Sequence, residues 1–592
     1  MSQIDSLLDT AFDLFNQKDF DYAEELARNV LRLSPTNGDA LYLLGLIASR
    51  VSAYEPAEKL LYQAVQLYPD NKQYKTSLGF VLEKQGRLDE ALSFYEEFKD
   101  DAFVLAQIGF IYLQKGLYDF ANSAFDKALE LNSSVLTAYI GKALFVRHQN
   151  LHEKSLEFLL LAKDKGESGE LFYQLSVSYR LLGRYQEAHE AILKALTFDE
   201  VASFYNEKGL IEEALLLDDE AIFSYEKALK LNSYFADSYA NLGNIYLRQN
   251  KLRKAEDSYK RAIGIDDKFV NAHHNLALLL YKEDRLNESL EHFRSVILIE
   301  PKNISALYNL AIVLEDLGDY SEAAGLYFNV LVSDNRFSDI HFRIANVLTM
   351  LTKKGRKEKK QALDFANGWI KNFPDNVICQ YTYAALNGDK ISKELAQKYS
   401  EILYDAFAKS YDETMKKLQS KTLDEVVSLL PNDKFEKVLD LACGTGTLAL
   451  KLEHKPYHLT GVDISNNMLL LAQEKNMYDE LIHDDILSFF ETNEDTYSLI
   501  VASDVTGYFD DISSFLKEVY SHLTKDGCFV FSIEETNESD VFLAPIGRYL
   551  YHPEFVKKEL IKSGFSVLEE KHIDLRNEGA EKAKGVIFKC QK

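Results

Sequence analysis

A chain of 592 residues is too long to bury a single hydrophobic core, so two or more domains are expected. The formal net charge of −26 argues against binding to a nucleic-acid backbone as the main activity, because its phosphate groups would be repelled. The four cysteines have no metal-ligand spacing, which predicts no metal site and indicates a reducing compartment.

Residues 1–5 lack the basic region and the apolar block of a signal peptide, and no apolar run is long enough to span a bilayer. We therefore expect a cytoplasmic protein without a membrane span. The basic run at residues 353–360 is interpreted as a solvated loop between helices. Nucleic acid is accordingly not an expected partner.

Small residues recur along the first part of the chain, mostly 34 positions apart. They are Ala11, Gly45, Gly79, Gly109, Ala143, Ser176, Gly209, Gly243, Ala277, Ala311 and Ala345. A second small residue follows each of the first ten after twelve positions, with aromatic residues such as Tyr225, Tyr259 and Phe293 nearby. Such small residues let paired helices approach closely while the aromatic rings fill the remaining space. The spacing resembles that of tetratricopeptide repeats, and eleven units fit residues 1–377.

This resemblance implies an α solenoid whose groove binds a protein or peptide ligand. Asn241, Asn275 and Asn309 each precede a small residue by two positions. In this family, asparagines along the inner groove can hold a peptide backbone, since an amide both donates and accepts. Alternatively, the amides bond to neighbouring helices. We favour the second interpretation, because three of the eleven units carry the residue.

The pattern stays helical from residue 378 to residue 437 but loses the phase of the repeats. It contains no linker rich in Gly, Ser or Pro, so we expect a packed junction instead of a flexible tether. We assign residues 378–390 to a junction helix that caps the repeats, and residues 391–592 to a second domain.

A short buried strand, a glycine turn and a helix follow one another at residues 438–452. Gly444 and Gly446 let the backbone approach a ligand where a Cβ would clash. The N–H groups of the turn and of the helix N-terminus face an electron-rich group, which indicates a nucleotide-type ligand. The next strand, residues 457–463, ends in Asp463, whose carboxylate can accept both ribose hydroxyls of an adenosine ligand.

The order of these motifs resembles the class I S-adenosylmethionine-dependent methyltransferases. Asp440 has the place of the acidic residue in their first motif. Ala442 stands where the family usually has glycine, and we expect its φ to be negative. Asp485 is placed to accept from the adenine amino group, and residues 497–505 form the strand that ends at the reaction centre. The residues implied to bind S-adenosyl-L-methionine are Asp440, Ala442, Gly444, Gly446, Asp463, Ile464, Asp485, Ile486 and Ser503.

The last segments, residues 564–570 and 585–590, are interpreted as an antiparallel pair, which distinguishes this fold from dinucleotide-binding sheets. The implied fold class is an α solenoid of tetratricopeptide repeats followed by an α/β class I methyltransferase domain. Its doubly wound sheet would be mostly parallel, with a terminal antiparallel strand. The chain as a whole resembles bacterial methyltransferases that carry amino-terminal tetratricopeptide repeats.

Two segments are expected to contact the sulfonium or the methyl acceptor. Residues 404–412 resemble the segment that covers the cofactor in many of these enzymes, where Tyr411 can contact the sulfonium by cation–π attraction. Alternatively, Phe407 and Tyr411 pack into the core. Arg548 and Tyr549 lie in an insertion after the fifth strand, where the class builds its acceptor pockets. We predict Tyr411, Arg548 and Tyr549 as substrate-binding residues.

A general base contributes to methyl transfer where the acceptor must lose a proton. The candidate catalytic residues are Asp504, Tyr508 and His552, with Glu534 as a further candidate. An arginine that faces the pocket would favour a carboxylate acceptor, so the position of Arg548 bears on acceptor chemistry. The run at residues 504–507 lacks the prolines of base methyltransferases, which again argues against nucleic acid.

The leading hypothesis is an S-adenosylmethionine-dependent methyltransferase whose repeats recruit a protein or peptide-linked acceptor. A second hypothesis keeps the enzyme but gives it a small metabolite, quinone or lipid-like acceptor. A third is an interaction scaffold with a vestigial methyltransferase domain. Gly444, Gly446, Asp463 and Asp485 favour an enzyme, since these are residues that donor binding requires.

Overall fold

The computed structural model describes residues 3–334, 336–430, 435–452, 458–578 and 581–592. The chain divides into two compact units, Met1–Leu279 and Leu280–Lys592. The second predicted strand includes Tyr457, which lies outside the described residues, so that strand is described from His458 onward. Among the described helices, none combines enough length with enough apolar character to cross a membrane.

The first unit consists of α-helices joined by short loops. Its helices are α1 (Gln3–Asn16), α2 (Phe20–Leu33), α3 (Gly38–Arg50), α4 (Tyr54–Leu67), α5 (Lys72–Lys84), α6 (Leu88–Glu96), α7 (Ala102–Gln114), α8 (Tyr118–Leu131), α9 (Leu136–His148), α10 (His152–Lys163), α11 (Gly169–Leu181), α12 (Tyr185–Leu196), α13 (Ala202–Ala214), α14 (Asp218–Leu231), α15 (Ala236–Arg248), α16 (Leu252–Ile265) and α17 (Val270–Lys282), which ends in the second unit. A Cβ at Gly243 in α15 would lie 2.5 Å from Cε1 of Tyr259 in α16. The same close approach joins Gly209 to Tyr225. The predicted pairing of small and aromatic residues is confirmed at these positions.

Two of the three repeat asparagines bond to neighbouring helices. The side-chain amide of Asn241 donates to Oδ1 of Asn206 at 3.2 Å, and that of Asn275 donates to Oδ1 of Asn244 at 2.8 Å. These bonds agree with the second interpretation of the two residues. Asn241 in α15 bonds to α13, and Asn275 in α17 bonds to α15.

The second unit begins with further helices that lead to the sheet. They are α18 (Leu286–Ile299), α19 (Ile304–Leu317), α20 (Tyr320–Ser333), α21 (Ile340–Thr352), α22 (Arg356–Asn372), α23 (Val377–Asn387), α24 (Lys393–Phe407), α25 (Tyr411–Lys417) and α26 (Thr422–Ser428). The prediction of a loop at residues 353–360 is wrong for its last five residues, because residues 356–360 form the start of α22. Lys353 caps α21 and Gly355 caps α22, so three residues suffice for the connection. Long unbranched basic side chains favour the helical state once the loop is closed.

The junction before the sheet is packed, as expected from the absence of a flexible linker. Tyr381 of α23 is buried and stacks on Tyr399 of α24, with ring centroids 3.8 Å apart. Its hydroxyl donates to the backbone oxygen of Gly547. The domain boundaries at residues 377 and 391 stay predictions.

A seven-stranded sheet forms the centre of the remaining chain. Its elements, with a separate β6–β7 hairpin, are β1 (Lys437–Leu441), α27 (Thr447–Lys451), β2 (His458–Asp463), α28 (Asn466–Glu474), β3 (Glu480–His483), α29 (Ile486–Thr492), β4 (Tyr497–Ala502), α30 (Ile512–Ser521), β5 (Leu523–Glu534), β6 (Val541–Leu543), β7 (Tyr549–Tyr551), α31 (Pro553–Lys562), β8 (Ser566–Glu578) and β9 (Glu581–Gln591). The strand order is β3-β2-β1-β4-β5-β9-β8. Strands β1 to β5 run parallel, and β9 is antiparallel to both β5 and β8. The predicted fold class, including the terminal antiparallel pair, is confirmed.

Both faces of the sheet are buried, because alternate side chains of each strand enter different cores. Leu439 and Phe529 pack on one face with Phe515 of α30. Val438 packs on the other face with Leu448 of α27. Strand order reverses at β1, which lies between β2 and β4. Ligands of such sheets bind at the carboxyl ends of the strands beside this reversal.

Candidate functional site

A cavity of about 310 Å³ lies at the carboxyl ends of β1, β2 and β4 and is bordered by α24 and α25. This volume is within the range of small-molecule sites in proteins. The predicted site residues that line it are Ala442, Gly444, Asp463, Ile464, Asp485, Ile486, Ser503, Asp504, Tyr508, Tyr549 and Tyr411. The structure therefore brings together residues that lie more than 100 positions apart in the sequence.

The turn after β1 has three residues in the left-handed region of φ. Gly444 has φ +55° and Gly446 has φ +80°. Ala442 has φ +56°, so the expectation of a negative φ there is wrong. Left-handed backbone costs a residue with a Cβ about 1–2 kcal/mol. Packing of β1 between β2 and β4 holds Ala442 in this conformation.

Asp463 joins the end of β2 to this turn. Its Oδ2 accepts from the N–H of Gly444 at 2.8 Å, and its Oδ1 accepts from the N–H of Ser465 at 2.9 Å. Asp463 is 6% exposed as a whole residue, and burial raises its pKa to about 6. A Cβ added at Gly444 would meet open space, and Gly444 itself lines the cavity. A ligand in the cavity would therefore meet the carboxylate of Asp463 next to the backbone of Gly444, which no side chain covers.

The affinity for S-adenosylmethionine should fall as the pH drops below about 6. The ribose hydroxyls of the expected donor would donate to the ionised form of Asp463, whose pKa is about 6 in the folded chain. Affinity should then fall by up to about tenfold per pH unit below that value and level off above it. Calorimetric titration between about pH 5 and pH 8 measures this dependence. Asp463→Asn is the control, with weaker binding and a flatter profile, whereas an unchanged profile in this variant would assign the titration to another group.

Asp440, which lies in β1, and Gly446, which lies in the turn, do not line the cavity. The hydroxyl of Tyr478 donates to Oδ2 of Asp440 at 2.6 Å. Burial raises the pKa of Asp440 to about 7, and the bond from Tyr478 opposes that shift. A Cβ at Gly446 would lie 3.0 Å from the Tyr478 ring. The contacts of these two residues support the turn, and their direct contact with a cofactor stays a prediction.

The segment formed by α24 and α25 is bonded to the loops that follow β1 and β2. Oδ1 of Asp405 accepts from Oγ of Ser465 at 2.6 Å and from the N–H of Asn467 at 3.0 Å. Oδ1 of Asp412 accepts from Oγ1 of Thr445 at 2.6 Å. These bonds hold the segment over the turn, as the resemblance of residues 404–412 to a covering segment implied.

Replacing Asp405 with alanine should weaken donor binding by about tenfold. The substitution removes bonds to a charged acceptor, worth roughly 1.5–3 kcal/mol each, that hold α24 on the β2–α28 loop. The dissociation constant of S-adenosylmethionine measures the effect. Glu401→Ala is the matched control, because Glu401 is exposed on the same helix. Equal affinities of the two variants would show that this segment does not contribute to the site.

Asp504 follows β4 and lines the cavity in a left-handed conformation. Its φ is +56°, and its N–H donates to Oγ of Ser532 at 2.9 Å. Burial raises the pKa of Asp504, while Arg576, with Nη1 3.7 Å from Oδ1, lowers it. Non-glycine residues held at positive φ are often part of functional sites. Tyr508, four positions later, has its hydroxyl 3.0 Å from that of Tyr404.

Three further predicted residues, His552, Arg548 and Glu534, do not line the cavity. His552 caps α31, where its Nδ1 accepts from the N–H of Glu554 at 3.3 Å. Arg548 pairs with Glu534, with Nη1 2.8 Å from Oε1, and Glu534 also bonds to Arg576. The condition that would favour a carboxylate acceptor, an arginine in the pocket lining, is not met by Arg548. The catalytic role of His552 and the substrate-binding role of Arg548 stay predictions, and the positions of the two residues outside the cavity lining do not support them.

Several lining residues were not predicted. Lys393, Gln397 and Ser400 lie on the same face of α24 as Tyr404, and their helical spacing was an available signal. The other lining residues that sequence reasoning missed include Asp484, Asp510 and Asp511. Asp511 caps α30, with its Oδ1 accepting from the N–H of Ser513 at 3.0 Å. An aspartate just before a helix is a common N-cap, so this structural role was recognisable, whereas its place in the cavity was not.

Comparisons with known sequence families agree with both parts of the fold. A family described as "Methyltransferase domain" matches residues 411–577. Families described as "Tetratricopeptide repeat" match residues 8–72, 169–201, 236–269 and 274–338.

Among similar proteins, a TPR repeat-containing protein of Methanocaldococcus jannaschii is 29% identical over 270 residues, which cover 42% of this chain and 47% of that protein. A methyltransferase candidate of a Geobacillus species is 31% identical over 115 residues, or 18% of this chain and 45% of that protein. A malonyl-acyl-carrier-protein O-methyltransferase of Bacillus cytotoxicus is 28% identical over 100 residues, or 16% and 34%. The chain thus spans about half the length, or less, of these curated relatives. It is a tetratricopeptide-repeat protein that carries a methyltransferase domain.

Proposed function

We propose that the chain transfers a methyl group from S-adenosylmethionine. The observation that carries the proposal is the contact between Asp463 and the Gly444 N–H, beside backbone that leaves the cavity open. Asp463 would accept from the ribose hydroxyls, Gly444 would leave room for the methionine moiety, and Asp485 with Ile486 would hold the adenine. All four residues line one cavity.

The chemistry requires alignment more than covalent participation by the protein. S-adenosylmethionine supplies a methyl group on a sulfonium, which is an excellent leaving group for an in-line displacement. The residues of the chain then hold donor and acceptor together and exclude water, an effect that can be worth several kcal/mol. Tyr404 and Tyr411 border the cavity from the covering segment. Asp504 would take a proton from an acceptor that must lose one.

We further propose that the repeats recruit a protein or peptide-linked acceptor. Tetratricopeptide repeats generally mediate contacts with proteins, and more than half of the chain is helical before the sheet begins. A small metabolite, quinone or lipid-like acceptor is the alternative, in which the repeats would serve assembly. The Bacillus cytotoxicus relative is named for an acceptor on a carrier protein, but the likeness covers 34% of that protein, so its acceptor is not carried over. The hypothesis of an interaction scaffold with a vestigial methyltransferase domain has the least support, because Gly444, Asp463 and Asp485 all line the cavity.

Calorimetric titration of the full chain with S-adenosylmethionine and with NAD tests the donor. Saturable binding of S-adenosylmethionine alone is expected, because the sheet ends in the antiparallel strands β9 and β8, which dinucleotide-binding sheets lack. Binding of NAD alone would overturn the proposal. Incubation with methyl-labelled donor and cell lysate then shows whether label enters protein or extractable small molecules.

A chain that begins at Asp284, after the end of α17, tests recruitment by the repeats before that residue, because residues 280–592 form a compact unit. Its affinity for the donor should equal that of the full chain. Transfer to a protein acceptor should fall by about tenfold or more through a raised apparent KM, since linked binding raises the local acceptor concentration. Unchanged transfer would favour the small-molecule alternative.

A further inference from the structure

We infer that the methyl acceptor is an amine, which reaches the site as an ammonium ion. The inference rests on the proposed methyl transfer and names the acceptor chemistry of the same cavity. It is carried by the charges that line the cavity, by the position of the neighbouring arginines and by the tyrosines at the acceptor end.

Carboxylates are the main charged groups in the wall of the cavity. The lining aspartates are Asp463, Asp484, Asp485, Asp504, Asp510 and Asp511. Among the described lining residues Lys393 is the one cation, and its Nζ lies 3.9 Å from Oδ1 of Asp485, at the adenine end. Asp504 lies beyond β4, outside the part assigned to the donor, as does Asp510, which pairs with Lys390 at 2.8 Å between Oδ2 and Nζ. A cationic acceptor is attracted to such a wall and an anionic acceptor is repelled.

The nearby arginines are engaged behind this wall. Arg548 and Arg576 both pair with Glu534, and Arg576 also faces Asp504. Neither arginine lines the cavity. Recognition of a carboxylate or phosphate acceptor would require a guanidinium or ammonium directed at it. An acceptor that enters the cavity instead meets the carboxylate of Asp504 before it meets Arg576.

Tyrosines supply the second feature that suits an ammonium. Tyr404, Tyr411, Tyr508 and Tyr549 line the cavity together with Phe509. The rings of Tyr411 and Tyr508 are steeply inclined to that of Tyr404, with centroids 6.4 Å and 6.0 Å away. Aromatic rings attract cations through their quadrupole, and several rings at steep angles surround an ammonium ion better than a flat anion.

The proposed step balances without a further reactant. The ammonium group gives one proton to the carboxylate of Asp504, which leaves a neutral amine with a lone pair. That lone pair forms the new N–C bond while the C–S bond breaks, and its electrons stay on sulfur as a thioether. The N-methylammonium product carries the positive charge that the sulfonium loses, and Asp504 releases its proton to solvent.

Binding of two isosteric probes tests the inference. The full chain is first saturated with S-adenosylhomocysteine and then titrated with n-hexylamine or with hexanoate. We expect the amine to bind at least about tenfold more tightly, a preference that corresponds to one favourable charge contact. Asp504→Asn should reduce that preference severalfold. Asp526→Asn is the matched control and should keep it, because Asp526 is an exposed aspartate that also has positive φ but does not line the cavity.

Equal binding of the two probes, tighter binding of hexanoate, or binding of neither would overturn the amine assignment. Titration with the donor distinguishes failure of the amine assignment from failure of the proposed function. If the chain binds no S-adenosylmethionine, both proposals are wrong. If it binds S-adenosylmethionine but does not prefer the amine, only the amine assignment is wrong. Labelled products from the transfer experiment give a second readout. Label in N-methylamines survives mild alkali and supports the inference, whereas release of labelled methanol identifies methyl esters and contradicts it.

Discussion

Gly444→Val should abolish binding of S-adenosylmethionine while the chain remains folded. Gly444 has φ +55°, a region that a β-branched residue adopts only with strain. Its missing Cβ faces open space at the cavity wall, where the valine methyl groups would occupy the path of the ligand. Calorimetric titration measures the loss, and we expect it to exceed about a thousandfold, or 4 kcal/mol, from steric exclusion together with backbone strain.

The matched control is Gly368→Val. Gly368 is exposed in α22, also has open space around its Cβ position, and is not at positive φ. This variant should bind the donor normally, apart from a small loss of helix stability that β-branched residues cause. Circular dichroism of both variants should match the wild type in helical content. Retained binding in a natively helical Gly444→Val chain would show that the turn is not the donor site.

The sheet and its turn were predictable because their signals are local. A short apolar run in the sequence predicts a buried strand. A pair of glycines followed by a helical pattern predicts the turn, and neither prediction depends on residues far away in the chain. The left-handed backbone of Ala442 was not predictable in this way. Its φ is fixed by β1, which is paired with β2 and β4, and these contacts offset a local preference of about 1–2 kcal/mol.

The acceptor end was harder to predict because its contacts are long-range. Arg548 looked available in the sequence, yet its partner Glu534 and the competing Arg576 come from different strands. His552 precedes a proline, and the sequence is equally compatible with a surface histidine or a general base at this position. In the fold it caps α31, a local role that the helix start at Pro553 could have indicated.

The covering segment, residues 404–412, was predicted less fully than the turn but better than the acceptor end. Its aromatic residues suggested two roles, contact with the cofactor or packing into the core, and spacing alone could not separate them. The structure divides the residues, since Tyr404 and Tyr411 line the cavity whereas Phe407 does not. The bonds that decide this arrangement run from Asp405 and Asp412 to residues some 30 to 60 positions later, beyond the reach of helical periodicity.

Asp504→Asn should lower the rate of methyl transfer by about 10²–10⁴-fold, the usual contribution of a general base. Asparagine has nearly the same shape and adopts positive φ as readily as aspartate, so the backbone at φ +56° should be kept. Arg576 retains its pairing with Glu534, which limits the structural consequences. The substitution therefore removes a proton acceptor with little other change, and kcat should fall while the dissociation constant of S-adenosylmethionine stays within about twofold.

The pH profile distinguishes loss of a base from loss of shape. In the wild type, kcat should rise with pH as Asp504 ionises, at a pKa that burial raises above the usual value of an aspartate. The Asp504→Asn variant should lose this limb of the profile, and its residual rate should increase at high pH, where more of an amine acceptor is already deprotonated. Asp526→Asn, exposed at positive φ in β5, should keep both the wild-type rate and the profile. A slow variant with an unchanged profile would mean that Asp504 positions the acceptor through its contacts without taking its proton.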